Sequence, residues 1–274
     1  HLGVRRQRQM CIRDRFIKVN KVRDRLTALN QKINWKPKAT GEKRFGNWLA
    51  NANDWNLSRS RFWGIPLPIW RSEDGQTEIV VGSVAELYSE IEKSVQKGLM
   101  ESNPLADFEV CEMSDSNYDK IDLHKHVVDK IVLSSPDGTP LFRENDLIDV
   151  WFDSGAMPYA QWHYPFENKD KIDMRTDFPA DYIAEGVDQT RGWFYTLHVI
   201  GAVVFDNIAY KNVISNGLVL DKNGQKMSKR LGNAIDPFKV IDQYGADATR
   251  WYMISNSNPW DNLKFDLEGV EEVQ

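Results

Sequence analysis

Tyr182-Ile183-Ala184-Glu185-Gly186-Val187-Asp188-Gln189-Thr190-Arg191-Gly192-Trp193-Phe194 is the stretch that decides the fold. Aromatic and β-branched residues at 182–184 predict a strand, and the apolar run that follows predicts a helix over about 188–205. Asn212 to Leu220 predicts a second strand. Strand, helix and strand in that order imply an α/β fold, with a parallel sheet flanked by helices and ligands beyond the carboxyl ends of its strands. Glu185, Gly186, Asp188 and Gln189 fall at that edge. Carboxylates and an amide there fit ribose hydroxyls and an ammonium group, while a helix N-terminus fits a phosphate. Taken alone, the same residues also read as a helix cap followed by solvated polar groups.

Downstream comes Lys226-Met227-Ser228-Lys229-Arg230, with Asn223-Gly224 before it and Leu231-Gly232-Asn233 after it. Glycines on both sides predict a mobile loop, and three cations in five residues can gather around a polyphosphate. A bare KxxKR pattern is usually a solvated basic loop, so the intervening letters carry the weight. Asp236-Pro237 then predicts a helix start, with Asp as the cap and Pro in the first turn.

Upstream, Phe16 to Asn30 predicts a short extended segment leading into a helix, and residues 44–70, dense in Trp and Arg, predict an irregular segment. Glu78 to Val81 predicts a strand. Ser83 with Glu86 forms a capping box for a helix that Gly98 ends. Lys130 to Ser134 and Leu141 to Glu144, flanking Pro136-Asp137-Gly138, predict a hairpin. Residues 71–145 are thus expected to form a smaller α+β insertion. Asp149-Val150-Trp151-Phe152-Asp153-Ser154-Gly155 follows, with its aromatic pair between acids.

Composition excludes several classes. Charged residues make up 27% and no apolar run approaches the roughly 18 residues that cross a bilayer, so no membrane role is expected. Two cysteines, Cys11 and Cys111, give neither a disulfide framework nor a CxxC zinc pair, which fits a reducing cytoplasm. His124, His126, His163 and His198 form no ligand-spaced cluster, so no metal site is expected. The net charge is −5, and residues 1–15 hold five arginines against one acid, so the remainder is more acidic still. Met10-Cys11-Ile12-Arg13-Asp14-Arg15 resembles translated sequencing adapter, and 1–15 is expected to be foreign and disordered.

The quoted words together resemble the class I aminoacyl-tRNA synthetases. KMSKR is similar to that class's KMSKS loop, and EGxDQxRGWF and DVWFDSG resemble its isoleucyl branch. Asp54-Trp55-Asn56-Leu57-Ser58-Arg59-Ser60-Arg61-Phe62-Trp63-Gly64-Ile65-Pro66-Leu67-Pro68 resembles the point where such chains re-enter the catalytic domain after an editing insertion. The resemblance implies the second half of a Rossmann-like catalytic domain. The expected divisions are 16–70 for re-entry, 71–145 for the insertion, 146–220 for the catalytic half, and 221–274 for the loop and the start of a helical stem.

By the same resemblance, Lys226 and Lys229 are catalytic and, with Ser228 and Arg230, hold ATP, which arrives with Mg2+. Glu185, Gly186, Asp188 and Gln189 would contact isoleucyl-adenylate, and Trp151 and Trp193 would wall the aliphatic side-chain pocket. The partners implied are isoleucine, ATP and tRNA(Ile), with a monomeric enzyme. Arg59 and Arg61 read either as RNA contacts or as structural ion-pair partners. The family's HIGH word does not occur, so the chain alone is expected to be inactive. A valyl or leucyl specificity, or a non-catalytic RNA-binding module, are the alternatives.

Overall fold

The computed structural model describes residues 14–274. Along the chain run α1 (Arg23–Asn30), β1 (Asn34–Lys36), α2 (Gly46–Ala50), β2 (Ile69–Arg71), β3 (Glu78–Val80), α3 (Val84–Gln96), β4 (Val132–Ser134), β5 (Pro140–Arg143) and α4 (Val150–Ala160). There follow β6 (Ala180–Gly186), α5 (Trp193–Phe205), β7 (Tyr210–Asn216), β8 (Val219–Leu220), α6 (Pro237–Tyr244), α7 (Ala246–Ser255), β9 (Leu263–Lys264) and α8 (Leu267–Glu272). Two compact units result among the described residues: Asp54–Phe152 with residues 14–17, and Lys18–Asn53 with Asp153–Gln274. Residues 71–145 fall wholly in the first unit, whereas 16–70 are shared between the two.

The first unit is built on an antiparallel sheet of order β3-β2-β5-β4. Its helix α3 starts where the capping box predicts: Ser83 Oγ accepts the Glu86 amide at 3.1 Å, and the Glu86 carboxylate accepts the Gly82 amide at 2.6 Å. Leu87 and Ile91 of α3 pack into a cluster with Trp70, Leu105, Leu133 and Leu141. Each such side chain removed from water contributes roughly 1.5–3 kcal/mol. The Trp70 indole, fully enclosed, still donates to the Ile131 carbonyl at 2.9 Å, so no polar atom of that ring is left unsatisfied. Asp14 and Arg15 belong to this unit: the Arg15 amide donates to Ser58 Oγ and the Leu57 amide to the Arg15 carbonyl. The remainder of 1–15, read above as foreign sequence, lies outside the described residues.

The second unit has a fully parallel sheet of order β6-β7-β1. Trp35 of β1 meets Phe45 at 5.0 Å and Phe194 at 5.6 Å between ring centroids, and Leu26, Leu29, Ile183 and Val213 complete the core. Helix α5 is buried along Phe194–Ala202, which explains why its sequence is apolar on every face rather than along one stripe.

Three expectations need correction. The helix expected over about 188–205 is two pieces: residues Val187–Arg191 form a tight 3-10 turn, and α5 begins only at Trp193. Thr190 Oγ1 donates to the Val187 carbonyl at 2.8 Å and the Gly192 amide to the Gln189 carbonyl at 3.1 Å, contacts three residues apart that hold the tighter winding. The strand expected over 212–220 is also two pieces. β7 ends at Asn216, and β8 pairs in parallel with β9 instead. The cause is Gly217, where a Cβ would stand 2.1 Å from the Asp261 carbonyl oxygen; only glycine lets the two backbones cross there. The segment expected to be irregular from 44 is helical up to Ala50.

Candidate active site

The carboxyl ends of β6 and β7 lie side by side, with Glu185 opposite Ser215 and Gly186 opposite Asn216. Glu185 and Asp188 are exposed at this edge, and Glu185 has no hydrogen-bond or ion-pair partner among the described residues. Gln189 turns its amide inward: its Oε1 accepts the Trp193 amide at 2.9 Å, and its Nε2 donates to the Asp188 carboxylate at 3.2 Å. Gln189 therefore caps α5, satisfying a backbone donor that the first turn leaves open. Trp193 is half-buried, and its indole donates to the Ser154 carbonyl of α4 at 2.9 Å, which fixes the plane of the ring. Trp151, on the first turn of α4, is 40% exposed.

From Asn216 the chain passes Gly217 and Leu218 into β8 and then the cationic loop. Asp221 organises that loop. Its Oδ1 accepts the amides of Asn223 and Gln225 at 3.0 and 2.8 Å, and Gly224 takes a left-handed φ of 81° to close the turn. Asn233 closes the other side: its Nδ2 donates to Asp221 Oδ2 at 2.9 Å, and its Oδ1 accepts the Ser228 amide at 2.9 Å. The Asn233 amide, followed by the Gln225 amide, holds the Asp221 carboxyl below its usual range.

Ser228 Oγ accepts the Leu231 amide at 3.2 Å, so this serine shapes the loop. Met227 packs against the cluster of Val240, Tyr252, Leu263, Phe265 and Val270, anchoring the loop at its centre. Lys226, Lys229 and Arg230 are exposed, and their side chains have no hydrogen-bond or ion-pair partner among the described residues. Three uncompensated cations on a short frame can draw in a polyphosphate.

Asp221 and Asn233 carry no charge-pattern signal, and sequence reasoning missed them. The cue available was an Asx residue two positions before Asn223-Gly224, matched by an asparagine after Gly232. Arg59 is ion-paired with Asp149 and donates to the carbonyls of Asn56 and Ser58 at 2.7 and 2.9 Å, contacts that fit its reading as a structural ion-pair partner. Arg61 is exposed. No group of three or more His, Cys, Asp or Glu side chains that could hold a metal occurs among the described residues.

The family model of class I tRNA synthetases for I, L, M and V matches residues 7–266. The chain belongs to this family. Its match takes in residues 7–15, more than half of the stretch read above as foreign. Synthetase relatives named isoleucine–tRNA ligase include those of Bacteroides thetaiotaomicron, 66% identical over 261 residues, and Porphyromonas gingivalis, 62% identical over 259 residues. Each alignment covers 94% of this chain but only 22% and 23% of those relatives, so the chain spans less than a quarter of the proteins it matches.

Among solved synthetases, the leucyl enzyme of Agrobacterium radiobacter K84, in a ternary complex with tRNA and LeuAMS, covers 80% of this chain and 27% of its own at 24% identity and a TM-score of 0.54. The methionyl-tRNA synthetase of Mycobacterium tuberculosis bound by methionyl-adenylate covers 94% of this chain and 36% of its own at 15% identity, with the same TM-score. At such identities the likeness concerns the class I fold.

Proposed function

We propose that this chain is the adenylate-binding and phosphate-gripping part of an isoleucine–tRNA ligase. In this reading the isoleucine carboxylate attacks the α-phosphate of ATP, giving isoleucyl-adenylate and pyrophosphate. The tRNA terminal hydroxyl then attacks the acyl carbon and AMP leaves. The observation that carries the reading is the turn Glu185–Gln189 at the carboxyl edge of a parallel sheet, in a chain 66% identical to a protein named isoleucine–tRNA ligase.

Each residue then has a task. Glu185 and Asp188 face the ammonium and ribose groups, and Gly186 admits the adenylate to the backbone. Gln189 holds the start of α5 while its amide nitrogen orients Asp188. Trp193 walls the aliphatic pocket, where apolar contact and shape are the means of recognition. Lys226 and Lys229, assisted by Arg230, neutralise charge on the departing pyrophosphate, and Ser228 keeps the loop in shape. Mg2+ would arrive with the nucleotide and supply positive charge at its phosphates. Work in the cytoplasm on tRNA(Ile), by a monomer, completes the proposal.

The test is ATP–pyrophosphate exchange by the full-length protein that carries this chain, run separately with isoleucine, valine and leucine. The highest kcat/KM is expected with isoleucine; a higher value with valine or leucine refutes the amino-acid assignment. One methylene in an apolar pocket is worth only about 1–3 kcal/mol, so valine should be the nearest competitor. The chain by itself is expected to give no exchange.

A further inference from the structure

We infer that Arg44 is a positioning residue for the turn that carries Asp188 and Gln189. The inference rests on the proposed reading of that turn as an adenylate contact. Arg44 Nε donates to Thr190 Oγ1 at 2.9 Å, across 146 residues of sequence. Thr190 is fully buried, and its hydroxyl donates onward to the Val187 carbonyl at 2.8 Å. A single side chain from outside the turn thus reaches the one hydroxyl that fixes the turn's own winding. Arg191, the next residue, lays its guanidinium over the Trp48 ring at 5.0 Å from the centroid. Residues 44 and 48, about one turn apart, thus meet the consecutive residues 190 and 191.

What holds Arg44 in place is itself rigid. It lies in the π-helical turn Thr40–Phe45, and Gly41 of that turn sits so close to Trp35 that a Cβ would stand 2.2 Å from the indole. Asn30, buried, donates to the Gly41 carbonyl at 3.0 Å and accepts from the Trp35 indole at 2.9 Å. The path therefore runs from the core of β1 through the π-helical turn to Arg44 and on to Thr190. Single-turn π segments of this kind are often found where a helix must aim a functional residue.

Arg44 makes no other hydrogen bond or ion pair among the described residues, so pairing with a carboxylate does not explain it. A charged donor on a neutral hydroxyl is a strong, directional bond, and the fixed Nε–H direction of arginine sets the angle. Without it, Thr190 loses its bond to the π-helical turn and keeps only its internal one, leaving the Arg191 contact with Trp48 as the other link. Asp188 and Gln189, on the open side, then wander relative to Glu185.

The experiment uses Arg44→Ala, Arg44→Lys, Thr190→Val and the double variant Arg44→Ala/Thr190→Val in the full-length protein, with Lys169→Ala as the control. Arg44→Ala should lower kcat of isoleucine-dependent exchange by about tenfold to a hundredfold, the scale of an ångström-sized misplacement, with a smaller change in KM. Arg44→Lys should recover part of it. The double variant should be no worse than the poorer single one, because both cut the same tie. Losses that multiply, or unchanged exchange in Arg44→Ala, overturn the inference. Hydrogen exchange at the amides of 187–191 reads the tie without catalysis: protection should fall in Arg44→Ala and not in Lys169→Ala. Equal protection in both overturns the inference whatever the catalytic result, while an absence of exchange in the unmodified protein refutes only the functional reading.

Discussion

The Asn233 side chain spans the cationic loop, giving its amide protons to the Asp221 carboxylate at 2.9 Å while its oxygen takes the Ser228 amide at the same distance. One planar group thereby joins the start, middle and end of the loop. Its Nδ2 also donates to the Lys226 carbonyl at 3.3 Å, so replacing it with alanine removes three bonds at once and leaves the Met227 anchor. Asn233→Ala should keep the melting temperature of the chain but lower kcat of exchange in the full-length protein by about tenfold, because the lysines lose their common frame. Unchanged kcat would show that the frame is incidental.

Acid should loosen the same loop. The Asp221 carboxyl titrates below its unfolded value of 3.8, so its contribution is complete above that value and is lost as pH falls through the lower folded one. The Met227 methyl resonance, followed from pH 5 downward, should move toward a solvent-exposed position. Asp221→Asn should abolish the pH dependence; a titration that survives in Asp221→Asn points to another group.

His198 predicts a different acid effect, on global stability. It is fully enclosed, its Nε2 donates to the Leu26 carbonyl at 2.9 Å, its Nδ1 has no partner among the described residues, and burial pushes its pKa from 6.5 to about 4. Above pH 6.5 the ring is neutral both folded and unfolded, so it imposes no penalty. Below that, only the unfolded chain takes up the proton, and stability falls until about pH 4, by about 3 kcal/mol in total. Denaturant midpoints measured at pH 7 and pH 4.5 should differ less in His198→Gln than in the unmodified chain. An equal difference in both would mean that other groups set the acid limb.

Ser215, at the carboxyl end of β7, buries a hydroxyl that has no hydrogen-bond partner among the described residues. An unsatisfied buried polar group costs about 1–3 kcal/mol, so Ser215→Ala should leave stability unchanged or raise it. A clear loss of stability on chemical denaturation would reveal a bond that the hydroxyl makes in solution.

Lys226→Ala and Lys229→Ala should each lower kcat of exchange by about a hundredfold or more with little change in KM for isoleucine, the signature of contacts made in the transition state. A rise in KM at constant kcat would instead mean ground-state holding of ATP.

How much of this was legible in the sequence depends on range. The parallel sheet could be read because Tyr182–Ala184 and Val213-Ile214 are strand formers around an apolar helix, and the caps at Ser83 and Asp236 could be read because their partners are two or three residues away. The break of the helix at Gly192 and the departure of β8 from the sheet could not. The first depends on Thr190 bonding backward to Val187, and the second on Asp261 approaching Gly217 from 44 residues downstream. For the candidate site, the words themselves marked Glu185–Gln189 and Lys226–Arg230, but their supports, Arg44, Asp221 and Asn233, are ordinary polar residues whose importance is a matter of distance in space.

The crossing at Gly217 has a mechanical meaning. It is the seam between two platforms: a rigid sheet that presents Glu185 and Asp188, and a small parallel pair, β8 with β9, that carries the lysines along with the cluster around Tyr252. Only Gly217 and Leu218 join the two by way of β7, and both are pinned to the second platform, Gly217 through Pro259 and Leu218 through Asn262. The standing of the lysines relative to the sheet edge is thus set at that seam, by two bonds from backbone amides and a close crossing, as much as by the hydrogen bonds inside the loop.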